Sequence, residues 1–291
     1  MQNMFLRYFL SEENFPFFIQ YGYHKEEMFI HTHSDFSELV IILDGTATHI
    51  VNGEEYPIQK GDVFVINDST SHGYRQVNNF RLCNIMFQPS YFLPAQNDLK
   101  ALPGFHALFV IEPALSKQKG FQGQFTLNRR DFNEICQLII QISDEFSTHS
   151  PGYQTMVTSL FHQMITRLSR LYCTKSPDTD NESLSLAAPA AYIESHFREE
   201  VTIDELSQMA NMSTRHFRRV FRGIYGTSPL KYINDLRIQT ASHLLTSTEL
   251  SVTEIAIRCG FSDGNYFSSK FKQAMGKSPL EYRKYINPPT D

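Results

Sequence analysis

The sequence lacks the features of a secreted or membrane-spanning protein. Its four cysteines are scattered, with no Cys-x-x-Cys pair and no disulfide framework: Cys83, Cys136, Cys173 and Cys259. No apolar run reaches the ~18 residues that a bilayer-spanning helix needs. Acidic residues follow the N-terminal MQNMFLRYFL too early for a secretory signal. These absences predict a cytoplasmic protein without membrane contact.

Acidic residues are also missing from one internal stretch. Residues 206–234 contain no Asp or Glu but carry five basic side chains: Arg215, Arg218, Arg219, Arg222 and Lys231. The whole chain has a net charge of −5, yet the basic charge is concentrated locally. Residues 1–174 hold 12 Lys and Arg against 17 Asp and Glu, whereas residues 187–286 hold 13 against 10. A local basic surface is what contact with DNA phosphates requires, so we expect the C-terminal part to bind DNA.

The C-terminal part contains an internal repeat. The segment FRRVFRGIYGTSPLKYI is answered fifty residues later by FSSKFKQAMGKSPLEYR, and each copy follows a short helical pattern that ends in a polar turn. Helix, tight turn and second helix form the helix-turn-helix unit that places a recognition helix in the DNA major groove. The connecting PLKYINDLRIQTASHLLTST reads as one helix that holds the two units about one DNA turn, ~34 Å, apart. The competing interpretation is a helical repeat that binds protein, although such repeats usually need three or more copies.

Each recognition helix offers its own candidate DNA contacts. Arg215 and Arg219, four residues apart, are predicted to read guanine, while Arg218 and Arg222 are predicted to contact phosphates. The amide of Asn can pair with adenine, and the carboxylate of Asp can accept a hydrogen bond from cytosine. The second helix is therefore expected to add selectivity. Its candidates are Asp263, Asn265, Ser268, Ser269 and Lys272.

The rest of the chain predicts an α+β protein of two domains. Residues 29–90 alternate short strands with turns, including an Asn52-Gly53 hairpin signal, as a sandwich or small barrel does. Helical periodicity over about 131–172 predicts a helical pair. The domains expected are 1–174 for effector binding and dimerisation, a linker over 175–188, and an all-α double helix-turn-helix over 189–287. The apolar stripe of the second paired helix suits core packing, a homodimer seam, or both.

A histidine-rich pattern lies in the strand region. His31-x-His33-x4-Glu38-x6-Gly45 matches the first motif of the cupin barrel, and the second motif begins at Gly61 and ends at His72, with Asn67-Asp68-Ser69 in place of Pro-x-Gly. Strand alternation points His31 and His33 to one side. Together with Tyr74, these side chains are the candidate effector contacts. Three readings stay open: a metal-free pocket that binds sugar hydroxyls, a pocket in which His31, His33, Glu38 and His72 bind a metal, and a metal-dependent enzyme.

The repeat resembles the AraC/XylS family of bacterial transcription regulators. The resemblance rests on Phe217-x-Arg219-x-Phe221 and on GFSDGNYFSSKFKQAMGKSPLEYR, and it covers the C-terminal hundred residues. It implies promoter binding and activation of RNA polymerase, which Glu254 and Asp263 are candidates to contact. The N-terminal HTHSDFSELVIILDGTATHIVNGEEYPIQKGDVFVINDSTSHGY is similar to the rhamnose-responsive members, which implies a sugar effector such as L-rhamnose. No catalytic residue and no cofactor are expected, and the protein is expected to act as a homodimer.

Overall fold

The chain divides into two compact units. The computed structural model describes residues 2–10, 14–68, 70–93, 98–116, 124–175 and 184–286. One unit comprises Met1–Pro94 with Gly104–Leu184, and the other comprises Ala95–Pro103 with Ser185–Asp291. Within the described ranges no helix has the length and apolar character needed to cross a membrane.

The first unit is built on an eight-stranded sheet. Its strands are β1 (Gln2–Met4), β2 (Phe17–His24), β3 (Met28–His33), β4 (Ser37–Val51), β5 (Glu54–Gln59), β6 (Asp62–Ile66), β7 (His72–Phe87) and β8 (Phe125–Thr126). The strand order is β1-β3-β7-β4-β6-β8, with β2 also paired to β7 and β5 to β4. All pairs are antiparallel except β1 with β3. The strands predicted for residues 29–90 are confirmed, and β1 and β2 precede that region.

The long strands β4 and β7 line a buried apolar core. Its members come from β4, β5, β6 and β7, and include Val40, Ile42, Val51, Ile58, Phe64, Tyr74, Phe80 and Leu82. β4 turns into β5 at Asn52 and Gly53, whose φ angles are 50° and 89°. Positive φ at both central residues is what a two-residue hairpin turn demands, so the predicted hairpin is confirmed.

A bulge at Gly45 changes which face of β4 points inward. The pairing register between β4 and β7 shifts three times between Ile42 and Thr48, and Gly45 has a φ of 76°. Residues 40 and 42 face the core before the bulge, whereas 47 and 51 face it afterwards. An extra residue in one strand reverses the alternation of side chains beyond it. β4 therefore contributes inward side chains from both halves, but with opposite parity.

Helices complete the first unit. They are α1 (Pro89–Phe92), α2 (Pro103–Phe105), a π-helix at His106–Ile111, α3 (Glu112–Ser116), α4 (Arg129–Thr148) and α5 (Tyr153–Lys175). The predicted helical pair is thus present as α4 and α5. Phe161 of α5 packs its ring edge-on against Phe17 of β2 at 5.3 Å and Phe87 of β7 at 4.9 Å between centroids. The α5 stripe is mostly buried in this packing, while Met156 stays 50% exposed.

The second unit is helical. Its helices are α6 (Ala187–His196), α7 (Ile203–Met209), α8 (Thr214–Tyr225), α9 (Pro229–Ser247), α10 (Val252–Arg258), α11 (Gly264–Met275) and α12 (Pro279–Ile286). A 3-10 turn at Leu184–Leu186 leads into α6, so helical structure begins inside the predicted 175–188 linker. Residues 176–183 of that linker lie outside the described ranges.

One short segment changes the predicted domain division. Residues Asp98–Ala101 form a 3-10 turn that packs against α6, and Ala95–Pro103 therefore belongs to the helical unit rather than to the predicted 1–174 domain. Leu99, 4% exposed, is the apolar side chain that this turn buries. The sequence gives no periodic pattern over so short a turn, and tertiary packing decides where it belongs.

Candidate DNA-binding surface and effector site

The first helix of each helix-turn-helix unit begins with the same capping structure. In α7 the Thr202 hydroxyl accepts the N–H of Glu205 at 3.2 Å, and the Glu205 carboxylate accepts the N–H of Thr202 at 3.0 Å. In α10 the pair is Ser251 and Glu254, with distances of 3.2 and 2.9 Å. This reciprocal capping box satisfies backbone donors that the helix leaves open. The repeat seen in sequence is therefore also a repeat of local chemistry.

The recognition helices α8 and α11 also begin and end alike. Ser213 and Asp263 cap their N-termini by accepting a backbone N–H from the first turn, at 3.3 and 2.7 Å. Gly226 and Gly276 end them with φ angles of 69° and 74°, a left-handed conformation that glycine adopts without steric cost. Ser213 and Asp263 are therefore equivalent N-caps of the two recognition helices.

The phenylalanines of the repeat fix the inward face of each recognition helix. Phe217 and Phe221 of α8 are fully buried, as are Phe267 and Phe271 of α11. Each α-helical residue advances about 100° around the axis, so residues four apart share a face. The opposite face of each helix is consequently directed away from the core.

That outward face carries the predicted DNA contacts in equivalent positions. Arg215, Arg219 and Arg222 lie on the outward face of α8 and are exposed. Fifty residues later Asn265, Ser269 and Lys272 take the same places on α11 and are exposed too. Arg218 and Ser268 lie at the flank of their helices. The structure thus brings the predicted residues of each helix onto one surface, with four basic positions on α8 and four polar or basic positions on α11.

Two predicted acidic residues have structural roles. Asp263 caps α11, and Glu254 is the glutamate of the α10 capping box. Hydrogen bonds from the Ser251 side chain and then its backbone hold the pKa of Glu254 below its usual value. Helix capping alone accounts for both carboxylates, so neither a DNA contact nor a polymerase contact is needed to explain them. Both residues are exposed.

His216 is a neighbour of the recognition surface that the sequence pattern does not single out. Nη2 of Arg219 lies 3.0 Å from Nδ1 of His216, one helical turn earlier. A guanidinium only donates hydrogen bonds, so this imidazole nitrogen accepts and the contact requires neutral Nδ1. His216 thereby orients Arg219 along the helix surface.

The candidate effector residues converge inside the first unit. His31 and His33 lie on β3, Glu38 on β4, and His72 and Tyr74 on β7, and each is only 1–2% exposed. In the β3–β7 pairing His31 is opposite His72. The predicted common orientation of His31 and His33 is confirmed, since both side chains are buried and their ring centroids are 5.2 Å apart.

The polar atoms of this cluster are close together. Nε2 of His33 lies 3.1 Å from Nε2 of His72, and each lies 3.4 Å from Oε2 of Glu38. The Tyr74 hydroxyl has no hydrogen-bond partner among the described residues. A buried polar group without a partner is costly, and a ligand or water that pairs with it removes that cost.

Burial sets the protonation of the cluster. Desolvation lowers the pKa of His33 to about 3, with further repulsion from His31, and lowers the pKa of His72 well below its usual value. Desolvation also raises the pKa of Glu38 to about 8. Burial thus disfavours the charged form of each of these groups.

Aromatic rings and a fourth histidine enclose the cluster. Phe36 stacks on His33 with a centroid distance of 4.3 Å. His49 of β4 is completely buried between Phe64 at 4.6 Å and Tyr74 at 5.1 Å. Simple alternation from Glu38 puts residue 49 on the outer face, and the bulge at Gly45 is what turns it inward. The glycine inside this strand is the one sequence signal of the bulge.

Comparison with known families identifies the chain. Residues 16–170 match the AraC-like ligand binding domain, and residues 206–285 match a helix-turn-helix domain. The chain is 30% identical over 252 residues to the HTH-type transcriptional activator RhaS of Escherichia coli O139:H28, covering 87% of this chain and 86% of that protein. It is 31% identical over 253 residues to RhaS of Enterobacter sp. strain 638, with the same coverage.

The fold and surface define a DNA-binding transcription regulator. The chain belongs to the AraC family, whose members matched here are regulators rather than enzymes.

Two solved structures are similar to a little over a third of the chain. The DNA-binding domain of AdpA, determined in complex with a target DNA, is 33% identical over 36% of this chain and 98% of its own, with a TM-score of 0.34. An AraC-type regulator from Chromobacterium violaceum is 29% identical over 38% of this chain and 100% of its own, also with a TM-score of 0.34.

Proposed function

We propose that this regulator activates transcription when a sugar, L-rhamnose being the first choice, binds among His31, His33, Glu38, His72 and Tyr74. The observation that carries the proposal is a cluster of buried polar side chains inside an otherwise apolar core. An unpartnered tyrosine hydroxyl does not stabilise an apolar core, whereas a polyhydroxy ligand offers hydrogen-bond donors and acceptors to it. The similarity to RhaS activators supports the same assignment.

Double-stranded promoter DNA is the second partner, and we propose how the two helices divide its recognition. Arg215 and Arg219 donate to guanine, and Arg218 and Arg222 contact phosphates. Asn265 reads adenine on the second helix, with Ser268, Ser269 and Lys272 completing the contact. α9 has 19 residues and so spans about 28 Å, which suits two grooves about one DNA turn apart.

Two further partners belong to the proposal. RNA polymerase is contacted at the promoter in the cytoplasm, and a second copy of this chain pairs through α4 and α5. The exposed apolar side chains Ile140 and Met156 on these helices support the pairing. A Met156→Lys variant is expected to sediment as a monomer where the parent chain sediments as a dimer. A monomeric parent chain would contradict the dimer.

Thermal unfolding against a panel of sugars, each with and without a chelator, tests the effector. A ligand present at 100 times its Kd stabilises the folded state by ~2.7 kcal/mol, which raises the midpoint measurably. We expect one sugar to do so, and Tyr74→Phe to weaken that shift. Tyr56→Phe is the matched control, because the Tyr56 hydroxyl donates to Glu54 at the exposed end of β5. The absence of any stabilising sugar would contradict the proposal.

A further inference from the structure

A cleft of about 420 Å³ lies between α9 and α11 in the helical unit. The first half of α9 forms one wall, and α11 forms the other. Among the described residues, none of the side chains assigned to DNA above lines this α9–α11 cleft. Its polar lining includes Lys231, Asn234, Asp235, Tyr266, Lys270 and Gln273.

The cleft lies along the part of α9 that connects the two recognition helices. Near the start of α9, Tyr232 packs edge-on against Phe221 of α8, with ring centroids 5.7 Å apart. Further along α9, Ile238 belongs to the apolar core that also contains Phe267 of α11. The cleft residues of α9 lie within 228–238, so they cover the interval between these two contacts. The cleft is therefore placed between α8 and α11.

The cleft opens beside the face of α11 that carries the proposed base contacts. Each residue of an α-helix advances ~100° around the axis, so Gln273 lies ~40° from Ser269 on the helix circumference. By the same count Tyr266 lies ~60° from Ser269, on the same side as Gln273. Tyr266 and Gln273 are both exposed, whereas Lys270 is half-buried further round the helix. A duplex that holds α11 in its major groove would therefore also meet the cleft.

The DNA surface that faces such a position consists of backbone. Two adjacent major grooves on one side of a duplex are separated by a minor groove, which is bordered by two phosphate backbones. With α8 and α11 in adjacent major grooves, a protein surface between them meets phosphate groups rather than major-groove base edges. Phosphate oxygens are anionic hydrogen-bond acceptors, so the matching protein surface supplies cations and hydrogen-bond donors.

The α9–α11 cleft supplies both kinds of group. Nδ2 of Asn234 donates to the Tyr266 hydroxyl oxygen at 3.4 Å, and this leaves the phenolic proton for an outside acceptor. The Lys270 ammonium group lies 5.5 Å from the centroid of the Tyr266 ring, so a donor and a cation stand side by side. The Asp235 carboxylate is bound by Lys231 at 2.6 Å, and this pairing offsets its repulsion of an anion.

We propose that the α9–α11 cleft binds the DNA backbone between the two base-reading helices, with Lys270 and Tyr266 donating to phosphate oxygens. Every phosphate offers the same acceptors, so this contact adds affinity and fixes the position of the duplex without reading its sequence. The inference rests on the proposed function, because it needs α8 and α11 to enter adjacent major grooves. The connecting helix thereby becomes a part of the DNA-binding surface.

Hydroxyl-radical footprinting of the full-length chain, on a duplex selected from a random pool and without RNA polymerase, tests where the backbone is covered. We expect protected sugars at two base-reading blocks and also in the minor groove between them. Protection of both blocks with unprotected sugars between them would overturn the inference, leave the proposed function intact and assign the cleft to a protein partner. A chain that protects no site would contradict the proposed function, and the inference with it.

Lys270→Gln tests the proposed cation. We expect affinity for specific and mismatched duplexes to fall by the same factor, and the slope of log K against log salt to decrease by about one. Tyr266→Phe keeps the ring and should weaken binding about threefold or more with the same base preference. The matched control is Lys25→Gln, the same charge change on an exposed lysine that follows β2.

Two results with these variants would overturn the inference. One is an unchanged salt slope in a Lys270→Gln chain that circular dichroism shows to be folded. The other is a decrease of the slope in Lys25→Gln as large as in Lys270→Gln. The footprint of the parent chain decides the question even when a variant fails to fold.

Discussion

Asn265 occupies on α11 the position that Arg215 occupies on α8. Both are the second residue of their helix, both are exposed, and each lies two residues before a fully buried phenylalanine, Phe217 or Phe267. The helix and its buried phenylalanine are thus repeated, whereas the exposed side chains differ. A guanidinium suits guanine and an amide suits adenine, so we expect the two helices to prefer different bases in the two halves of a DNA site.

Replacing Arg219 by Ala removes a side chain assigned to base reading. We expect specific binding to weaken by ~1–3 kcal/mol, with relaxed preference at one base pair. Arg218→Ala is the matched control, since a phosphate contact should weaken binding to all sequences about equally. Competition between specific and mismatched duplexes at fixed salt measures both. An unchanged preference in Arg219→Ala would remove this residue from the base-reading set.

Asn265→Ala tests the second helix independently. The loss should affect a different part of the DNA site from the loss in Arg219→Ala, because the proposal places the two helices in separate grooves. Its salt dependence should stay that of the parent chain, since a neutral side chain releases no counterions. Identical sequence effects from both variants would contradict separate recognition. Titrations at several salt concentrations supply the data.

The repeat and its caps could be predicted from sequence because they are local. A serine directly before a helical pattern is a favourable N-cap, as Ser213 is for α8. Strand alternation is enough to place His31 beside His33. His49 was not predictable by the same counting, because the Gly45 bulge reverses the face of β4. The turn around Leu99 was assigned to the wrong unit for a similar reason: its place depends on packing with α6, far away in sequence.

Gly45→Ala should destabilise the first unit more than Gly53→Ala. Both glycines have positive φ, 76° and 89°, which costs another residue ~1–2 kcal/mol. A Cβ on Gly45 would also lie 2.3 Å from the carbonyl oxygen of Asn78, whereas a Cβ on Gly53 meets nothing within 4 Å. Urea unfolding followed by circular dichroism suits a chain without tryptophan. Equal midpoints for the two variants would contradict the close approach at the bulge.

Acid should weaken the second unit partly through its capping boxes. Hydrogen bonds from Thr202 and Ser251 lower the pKa values of Glu205 and Glu254 in the folded state. A carboxyl group with a depressed folded pKa stabilises above its unfolded pKa, ~4.3 for Glu, and loses this contribution as pH falls through the folded value. Glu254→Gln should therefore show a flatter fall in unfolding temperature below pH ~5. The matched control is Glu249→Gln, because Glu249 is exposed and lies outside both capping boxes. The unfolding temperature of this variant should fall with pH as that of the parent chain does.

Deleting residues 1–174 should leave a folded fragment that binds DNA, because each recognition helix is held by its own buried phenylalanines. The fragment lacks the turn at Asp98–Ala101, so the contact of this turn with α6 is lost. We expect the short fragment to unfold at a lower temperature than the corresponding unit in the full chain. An insoluble fragment without DNA binding would contradict an independent helical domain.

Selection of DNA from a random duplex pool by the full-length chain tests the central claim most directly. The account predicts an enriched site with two conserved blocks whose centres are about 10–10.5 base pairs apart. Arg219→Ala should erase preference in one block, and Asn265→Ala in the other. A single block, or no enrichment over the starting pool, would contradict the proposal that α8 and α11 read two adjacent grooves.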